Sequence, residues 1–178
     1  MKITVLMGSP NAMGSTSILV DCFQAGALEA GHDVEVIDVA YEDVAPCTGC
    51  VSCGYEGDCI QLDAMGAIRE KILASDMLVF ATPLYYYGMT AQLKTVVDRF
   101  CACNSSLTRR HMKSALLTVA WNADDWTFDA LVAHYRTLVR YLSFDDTGMV
   151  LGRGCGTPAM TRATRYPDEA YRLGKSLR

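Results

Sequence analysis

Five apolar runs, separated by stretches with helical periodicity, set the plan of the chain. Ile3-Thr4-Val5-Leu6-Met7 and Met77-Leu78-Val79-Phe80-Ala81-Thr82 are apolar almost throughout, the pattern of strands buried on both faces. Val34 to Val39, Ala115 to Ala120 and a weaker run from Phe144 to Val150 supply three more strands. Between them, Ile18, Leu19, Cys22 and Phe23 share one helix face, and Gly31 follows as a C-terminal cap. Asp63 is placed to cap a helix that runs through Met65, Ile68 and Ile72 to about Ser75. A helix from Thr90 to Phe100 gathers Leu93, Val96 and Val97, and Phe128, Leu131, Tyr135, Val139 and Leu142 mark the clearest stripe. Pro167 opens a terminal helix toward Leu177, and residues 151–166 read as irregular.

Strands alternating with helices imply an α/β fold, a three-layer αβα sandwich around a five-stranded parallel sheet. No repeat and no linker divides the 178 residues, so they read as a single domain spanning 1–178. The polar and aromatic loops at 8–17, 83–88 and 121–126 each follow a strand, and so gather at the strands' carboxyl ends. In the flavodoxin-like order 2-1-3-4-5, the loops after the first and third strands flank the topological switch point, where ligands bind.

The first of these loops, Gly8-Ser9-Pro10-Asn11-Ala12-Met13-Gly14-Ser15-Thr16-Ser17, joins a strand to a helix amino terminus. Unpaired N–H groups and the helix dipole make such a place receptive to an anion. The loop carries neither the G-x-G-x-x-G of dinucleotide sites nor the lysine of a P-loop. No Lys or Arg occurs between Lys2 and Arg69, so a phosphate here would be held by hydroxyls and amides alone. That suits a phosphate bound for position and not for transfer. The plainer alternative is a polar turn in which Ser15 or Thr16 caps the helix.

Composition narrows the setting. Apolar residues make up 51% and charged residues 20%, values of a chain that folds around a core. No run of about 18 apolar residues is present, so no membrane span is expected. The chain opens directly on a core strand without a signal-peptide pattern, so a cytoplasmic location is expected. A pI near 5.3 without a basic helix argues against nucleic acid as a partner. Charge is uneven: residues 1–68 hold ten acidic and one basic side chain, and residues 69–178 hold ten acidic and fifteen basic. Two oppositely charged faces that meet in a dimer, ordinary solvated surface, or a basic half that draws an anionic substrate would each account for this.

Eight cysteines in a reducing compartment suggest metal or redox chemistry where they cluster. Cys47-x2-Cys50-x2-Cys53-x5-Cys59 brings four thiols within thirteen residues. The short spacings suit a [4Fe–4S] cluster; reduced or redox-active thiols are a second reading, and zinc, for which the spacing is crowded, a third. Cys22 reads as packing, and Cys101, Cys103 and Cys155 as incidental. His32, His111 and His134 match no ligand pattern, and no hydrolase motif is present. Lys94 and Asp98 have the spacing of a surface ion pair, and Arg99 is read with them.

Several of these segments together resemble a known family. Gly8-Ser9-Pro10 with Gly14-x-Thr16, Thr82-Pro83-Leu84-Tyr85-Tyr86-Tyr87-Gly88-Met89-Thr90, Leu93-Lys94 and Asp98-Arg99 resemble the NADPH-dependent FMN reductases of flavodoxin-like fold. The cysteine loop is similar to that of the iron–sulfur flavoprotein branch. The resemblance implies FMN, with Ser9, Asn11, Ser15 and Thr16 at its phosphate, beside Pro10, Gly14 and Ser17 of the same loop. Pro83, Leu84, Tyr85, Tyr86, Tyr87 and Gly88 would line the isoalloxazine ring, and Trp121, Asn122, Ala123 and Asp124 would close its other edge. Many relatives have Arg where Asn11 stands and Asn where Ser15 stands, and a glycine-rich stretch where Trp121-Asn122 stands.

The expected function is therefore an FMN-dependent oxidoreductase that takes hydride from NAD(P)H as co-substrate and passes it to a quinone, a flavin or another small-molecule acceptor. No general acid is strictly needed, and no catalytic side chain is singled out. A homodimer or homotetramer is expected. Two rivals stand beside it: an electron carrier with a [4Fe–4S] cluster on Cys47, Cys50, Cys53 and Cys59, and a flavin-binding module without turnover.

Overall fold

The computed structural model describes residues 1–178. Five parallel strands, β1 (Lys2–Met7), β2 (Asp33–Ile37), β3 (Met77–Pro83), β4 (Lys113–Val119) and β5 (Asp145–Gly152), form one sheet in the order β2-β1-β3-β4-β5. This is the flavodoxin-like arrangement expected from the alternating pattern. Side-chain alternation along β1 and β3 builds a core on each face. Ile3, Val5, Val79 and Ala81 face α1 (Ser15–Glu29) and α7 (Tyr166–Lys175), with Phe23 and Ala170 between them. Leu6, Leu78 and Phe80 face the opposite layer, built from α2 (Met65–Leu73), α3 (Ala91–Asp98), α4 (Asn104–Arg110) and α5 (Asp129–Leu142). Tyr135 of α5 stands edge-on to Phe80 at 6.0 Å between centroids.

The periodicity located the main elements, and the differences have local causes. Helix α1 begins at Ser15, three residues ahead of the apolar stripe, because the small polar residues of the loop already have helical geometry. Strand β5 looked weak because its first half carries exposed Asp145 and Asp146 and a bulge opposite Ser114 and Ala115. Helix α4 and the short α6 (Pro158–Arg162) were not foreseen. Each buries one residue, Leu107 or Thr161, and so leaves no stripe to read. Helix α3 tightens into a 3-10 turn at Arg99–Cys103.

Two glycines set the closest helix contact. A Cβ on Gly26 of α1 would lie 2.1 Å from the Tyr171 carbonyl oxygen, and one on Gly174 of α7 would lie 2.2 Å from that of Phe23. The two backbones touch only because neither position has a side chain.

The unequal charge of the two halves resolves inside the molecule. Ion pairs Asp58–Arg69, Glu35–Lys71, Asp63–Arg99, Glu56–Arg109 and Glu29–Lys175 each join an acid before residue 69 to a base at or after it. The surface pair Lys94–Asp98 forms as its spacing implied, at 2.6 Å. No helix is long and apolar enough to cross a membrane.

Candidate functional site

The strand ends converge on one crest. Gly8 N–H, just past β1, donates to Ala81 O of β3 at 2.8 Å. Leu84 N–H donates to Val119 O of β4, and Ala120 N–H donates to Gly152 O of β5, at 2.8 and 2.9 Å. Thr90, the N-cap of α3, ties the first and third loops together. Its hydroxyl donates to Gly8 O at 2.7 Å and accepts from Leu93 N–H at 3.3 Å, while its own N–H donates to Thr82 Oγ1 at 3.0 Å. A Cβ on Gly8 would meet Thr90 Oγ1 at 2.8 Å and Leu93 Cβ at 2.6 Å, so this approach requires glycine.

Between these loops opens a cleft of about 230 Å³. Ser9, Asn11, Gly14, Ser15 and Thr16 form one wall, Pro83, Leu84 and Tyr85 a second, and Val119, Ala120, Trp121, Cys155 and Gly156 a third. None of these residues is charged. The first wall is the amino terminus of α1. Its N-cap is Gly14, which offers no side chain, and its first turn holds no acid. Ser15 and Thr16 therefore do not cap the helix as the plainer reading proposed; they are its first helical residues. Ser15 Oγ is buried and has no hydrogen-bond partner. A buried hydroxyl without a partner is costly, and free helix N–H groups stand beside it. Ser9 is spent on loop geometry, its hydroxyl bonding both the N–H and the carbonyl of Asn11 at 3.2 Å. Ser17 Oγ turns back to Ala12 O at 2.7 Å and Pro10 O accepts from Tyr41, so neither residue reaches the wall of the cleft.

The third loop is a tight hairpin. Tyr85 and Gly88 exchange N–H···O bonds at 3.1 Å, and Tyr86 and Tyr87 between them have φ of 45° and 65°. That is the backbone of a type I′ turn, which normally takes Asn or Gly, so two tyrosines here are held in an unfavoured conformation. Tyr86 stands fully in solvent, and Tyr87 packs on Trp126 with ring centroids 5.2 Å apart and planes tilted by 36°. Leu84, Tyr86, Tyr87, Ala120, Trp121 and Asn122 line an adjoining hollow of about 260 Å³. Trp121, although 71% exposed, lies against Gly156, where any Cβ would meet the indole at 2.1 Å. Ala123 and Asp124 lie outside both hollows: Asp124 N–H bonds Asn122 Oδ1 and its carbonyl accepts from Arg153.

Val119, Ala120, Cys155 and Gly156 were missed by sequence reasoning. Residues 151–156, Leu-Gly-Arg-Gly-Cys-Gly, end β5 and continue past it to the same crest, a signal present in the sequence but assigned to irregular chain. Cys155 is thus not incidental. Burial raises the pKa of its thiol and keeps it protonated beside the cleft. A larger hollow of about 310 Å³ sits at the amino ends of the strands, where Lys71 and Glu35 pair across its wall.

The cysteine loop is a second feature, held from below by Arg99. This residue is not on the surface with Lys94 and Asp98; its side chain is 2% exposed. It makes a bidentate pair with Asp63, at 2.6 and 3.0 Å, and donates to Ala45 O at 2.7 Å and Gln61 O at 3.5 Å, so one guanidinium fixes both ends of the loop. Asp63 also accepts from Ala45 N–H and Met65 N–H. Burial alone would raise the pKa of this carboxyl, but Arg99 and the two amides outweigh it and hold the pKa below the usual range. Glu56, accepting from Ser106 and Arg109 at 2.6 Å, docks the loop on α4.

Cys47, Cys50, Cys53 and Cys59 line one cavity there, and Cys101 completes it from the turn after α3. The space between them is about 20 Å³, room for about one water molecule. No three cysteine, histidine or carboxylate groups are gathered to hold a metal ion. The donor set has the chemistry of an iron–sulfur site. Exposed Cys50 has its pKa lowered by hydrogen bonds from Ser52 and Thr48.

The fold and the uncharged crest define a flavodoxin-like protein whose first helix opens on a cleft without charge, with an aromatic-walled hollow beside it. The description "NADPH-dependent FMN reductase" matches residues 1–143, and the chain belongs to that family. An iron–sulfur flavoprotein of Archaeoglobus fulgidus is 34% identical over 99 residues, covering 56% of this chain and 45% of that protein. Another, of Methanosarcina thermophila, is also 34% identical over 99 residues, covering 56% and 52%. The chain thus spans about half the length of the curated relatives it matches. An NAD(P)H:quinone oxidoreductase from Methanothermobacter marburgensis has the same fold, with a TM-score of 0.78 at 20% identity over 98% of this chain and 94% of that one.

The residues present fit FMN. Ser15 Oγ and the amide groups that open α1 are the unsatisfied donors a phosphate needs, and the uncharged walls beside them suit a flat ring system.

Proposed function

We propose that this chain is an FMN-dependent NAD(P)H oxidoreductase serving a small-molecule acceptor such as a quinone or a free flavin. The buried, unpartnered Ser15 hydroxyl at the open amino end of α1 carries this reading. When bound, FMN supplies two-electron chemistry by accepting and returning hydride at its ring.

The chain's own residues bind and orient. Ser15, Thr16 and the first-turn amides hold the phosphate without a cation, and Asn11 and Ser9 shape the loop around it. Pro83, Leu84 and Tyr85 border the ring on one side. Val119, Ala120, Trp121 and Gly156 border it on the other. The hollow between Tyr86, Tyr87 and Trp121 adjoins the cleft and is wide enough to seat a nicotinamide or a flat acceptor against the exposed ring face. No side chain in either hollow is placed as a general acid, consistent with a transfer that needs none.

Exposed Tyr85, Tyr86, Trp121 and Trp126 around one opening support assembly as a homodimer or homotetramer that covers this rim. Eight free cysteines support a reducing, cytoplasmic setting. The test is an anaerobic absorption spectrum of FMN-loaded protein before and after NADH or NADPH. Bleaching of the flavin bands, with reoxidation by a quinone, is the expected result. A bound flavin that neither nucleotide bleaches assigns the chain to non-catalytic flavin binding.

A second reading gives Cys47, Cys50, Cys53 and Cys59 an iron–sulfur cluster and makes the chain an electron carrier. Their spacing and the names of the archaeal relatives support it. Iron and acid-labile sulfide in anaerobically purified protein decide between the two.

A further inference from the structure

Leu84, Ala120 and Trp121 line both the cleft and the adjoining hollow, so a ring seated in one lies beside a ring seated in the other. The aromatic walls of the hollow are braced from behind. The six-membered ring of Trp121 rests on Gly156, where a Cβ would meet three of its carbons at 2.1–2.7 Å, and Tyr87 is backed by Trp126. Asn122 is the one lining residue whose side chain is neither apolar nor aromatic. Its loop is pinned by the chain that leaves β5: Cys155 N–H donates to Ala120 O at 2.7 Å, and Gly154 N–H donates to Asn122 O at 3.1 Å. Asp124 N–H donates to Asn122 Oδ1 at 3.3 Å. A backbone N–H can only donate, so this contact fixes which branch of the carboxamide is oxygen. The other branch, Nδ2 with two N–H donors, is the one this contact leaves for a ligand.

We infer that Asn122 is a specificity residue, whose Nδ2 donates to a carbonyl oxygen of a planar quinone acceptor seated in the hollow. The inference rests on the oxidoreductase reading and narrows its acceptor. A quinone presents flat apolar faces and, at its rim, oxygens that only accept hydrogen bonds. The hollow presents the complement: aromatic walls and one amide whose free branch only donates. No lining residue is charged, which suits a neutral ring. The amide is held by its neighbours before any ligand arrives, so little freedom is lost when the bond forms. A ring of the same shape without the oxygen leaves that amide dehydrated and unpaired, and is discriminated against on that account.

The test is equilibrium binding to the oxidised, FMN-loaded full chain, followed by the flavin absorption and fluorescence, so that no turnover intervenes. Duroquinone is the probe, because its ring is fully substituted and does not add to the eight free cysteines. Asn122→Asp is the variant: it keeps an oxygen for Asp124 N–H and puts a second oxygen where Nδ2 stood. Duroquinone is expected to bind the variant about tenfold more weakly. Durene, the same methylated ring without oxygens, is expected to bind parent and variant alike, and FMN affinity to stay as in the parent. Duroquinone bound equally by both proteins would overturn the inference, as would durene or FMN weakened along with it. Oxidised NAD weakened while duroquinone is not would also overturn it, by giving the amide to the nicotinamide carboxamide. A chain that takes up no FMN ends the oxidoreductase reading and this inference together, whereas FMN-loaded protein with unchanged duroquinone binding in Asn122→Asp ends this inference alone.

Discussion

At the scale of single residues, a hydroxyl on the cleft stands unsatisfied, while a buried guanidinium is paired through both of its terminal nitrogens. Ser15 Oγ is buried without a partner, a cost to the empty protein that phosphate binding would recover. Ser15→Ala is therefore expected to weaken FMN by about 1.5–3 kcal/mol, roughly ten- to a hundredfold, the range for hydrogen bonds to charged groups. The same variant without FMN should melt no lower than the parent, because the orphaned group is gone. Fluorescence titration with FMN and thermal melts of the empty protein separate the two effects. Arg99 and Asp63 behave in the opposite sense. The folded state holds the Asp63 pKa below its unfolded value, so its contribution is present above the unfolded value and is lost as pH falls through the folded one. Asp63→Asn should cost about 3–5 kcal/mol at pH 7, since Arg99 is left buried and unpaired, and should flatten the loss of stability below pH 4. Urea unfolding between pH 7 and pH 3 measures both.

At the scale of elements, contacts between helices and between loops depend on residues whose importance a hydrophobic pattern does not register. Helices α1 and α7 meet backbone to backbone at Gly26 and Gly174. Gly26→Ala should destabilise by about 3 kcal/mol or more, because its Cβ faces a carbonyl oxygen 2.1 Å away that cannot move without α7. Gly66 in α2 has nothing within 4 Å of the same atom, so Gly66→Ala should stabilise by about 0.4–1 kcal/mol through the unfolded chain. Chemical denaturation of the pair checks sign and size together. The strands and long helices were legible because burial on one or two faces writes a period into the sequence. Helices α4 and α6 were not, since each buries a single side chain. Arg99 escaped for a related reason: its spacing belongs to a surface helix, but the 3-10 turn that rotates it inward is set by packing.

At the scale of the whole molecule, the crest exists only when every strand but the edge strand β2 is in register, because its walls come from the loops after β1, β3, β4 and β5. The first two walls were legible from strand-loop-helix order and loop composition. Of the last only Trp121 was, because residues 151–156 carry no pattern until β5 delivers them to the rim, and with them Cys155. The charge asymmetry has a related origin: five ion pairs join acids before residue 69 to bases at or after it through contacts distant in sequence. A site assembled from four distant segments is absent from the unfolded chain, so FMN should bind the folded state alone. At free FMN of about 100 times its dissociation constant, the folded state should gain about 2.7 kcal/mol. For a chain of 178 residues that gain should raise Tm by about 5–10 °C. With FMN binding ten- to a hundredfold weaker, Ser15→Ala at the same FMN concentration should gain only about 0.4–1.4 kcal/mol. Differential scanning fluorimetry over a series of FMN concentrations measures both, and equal shifts in the two proteins would remove Ser15 from the phosphate site.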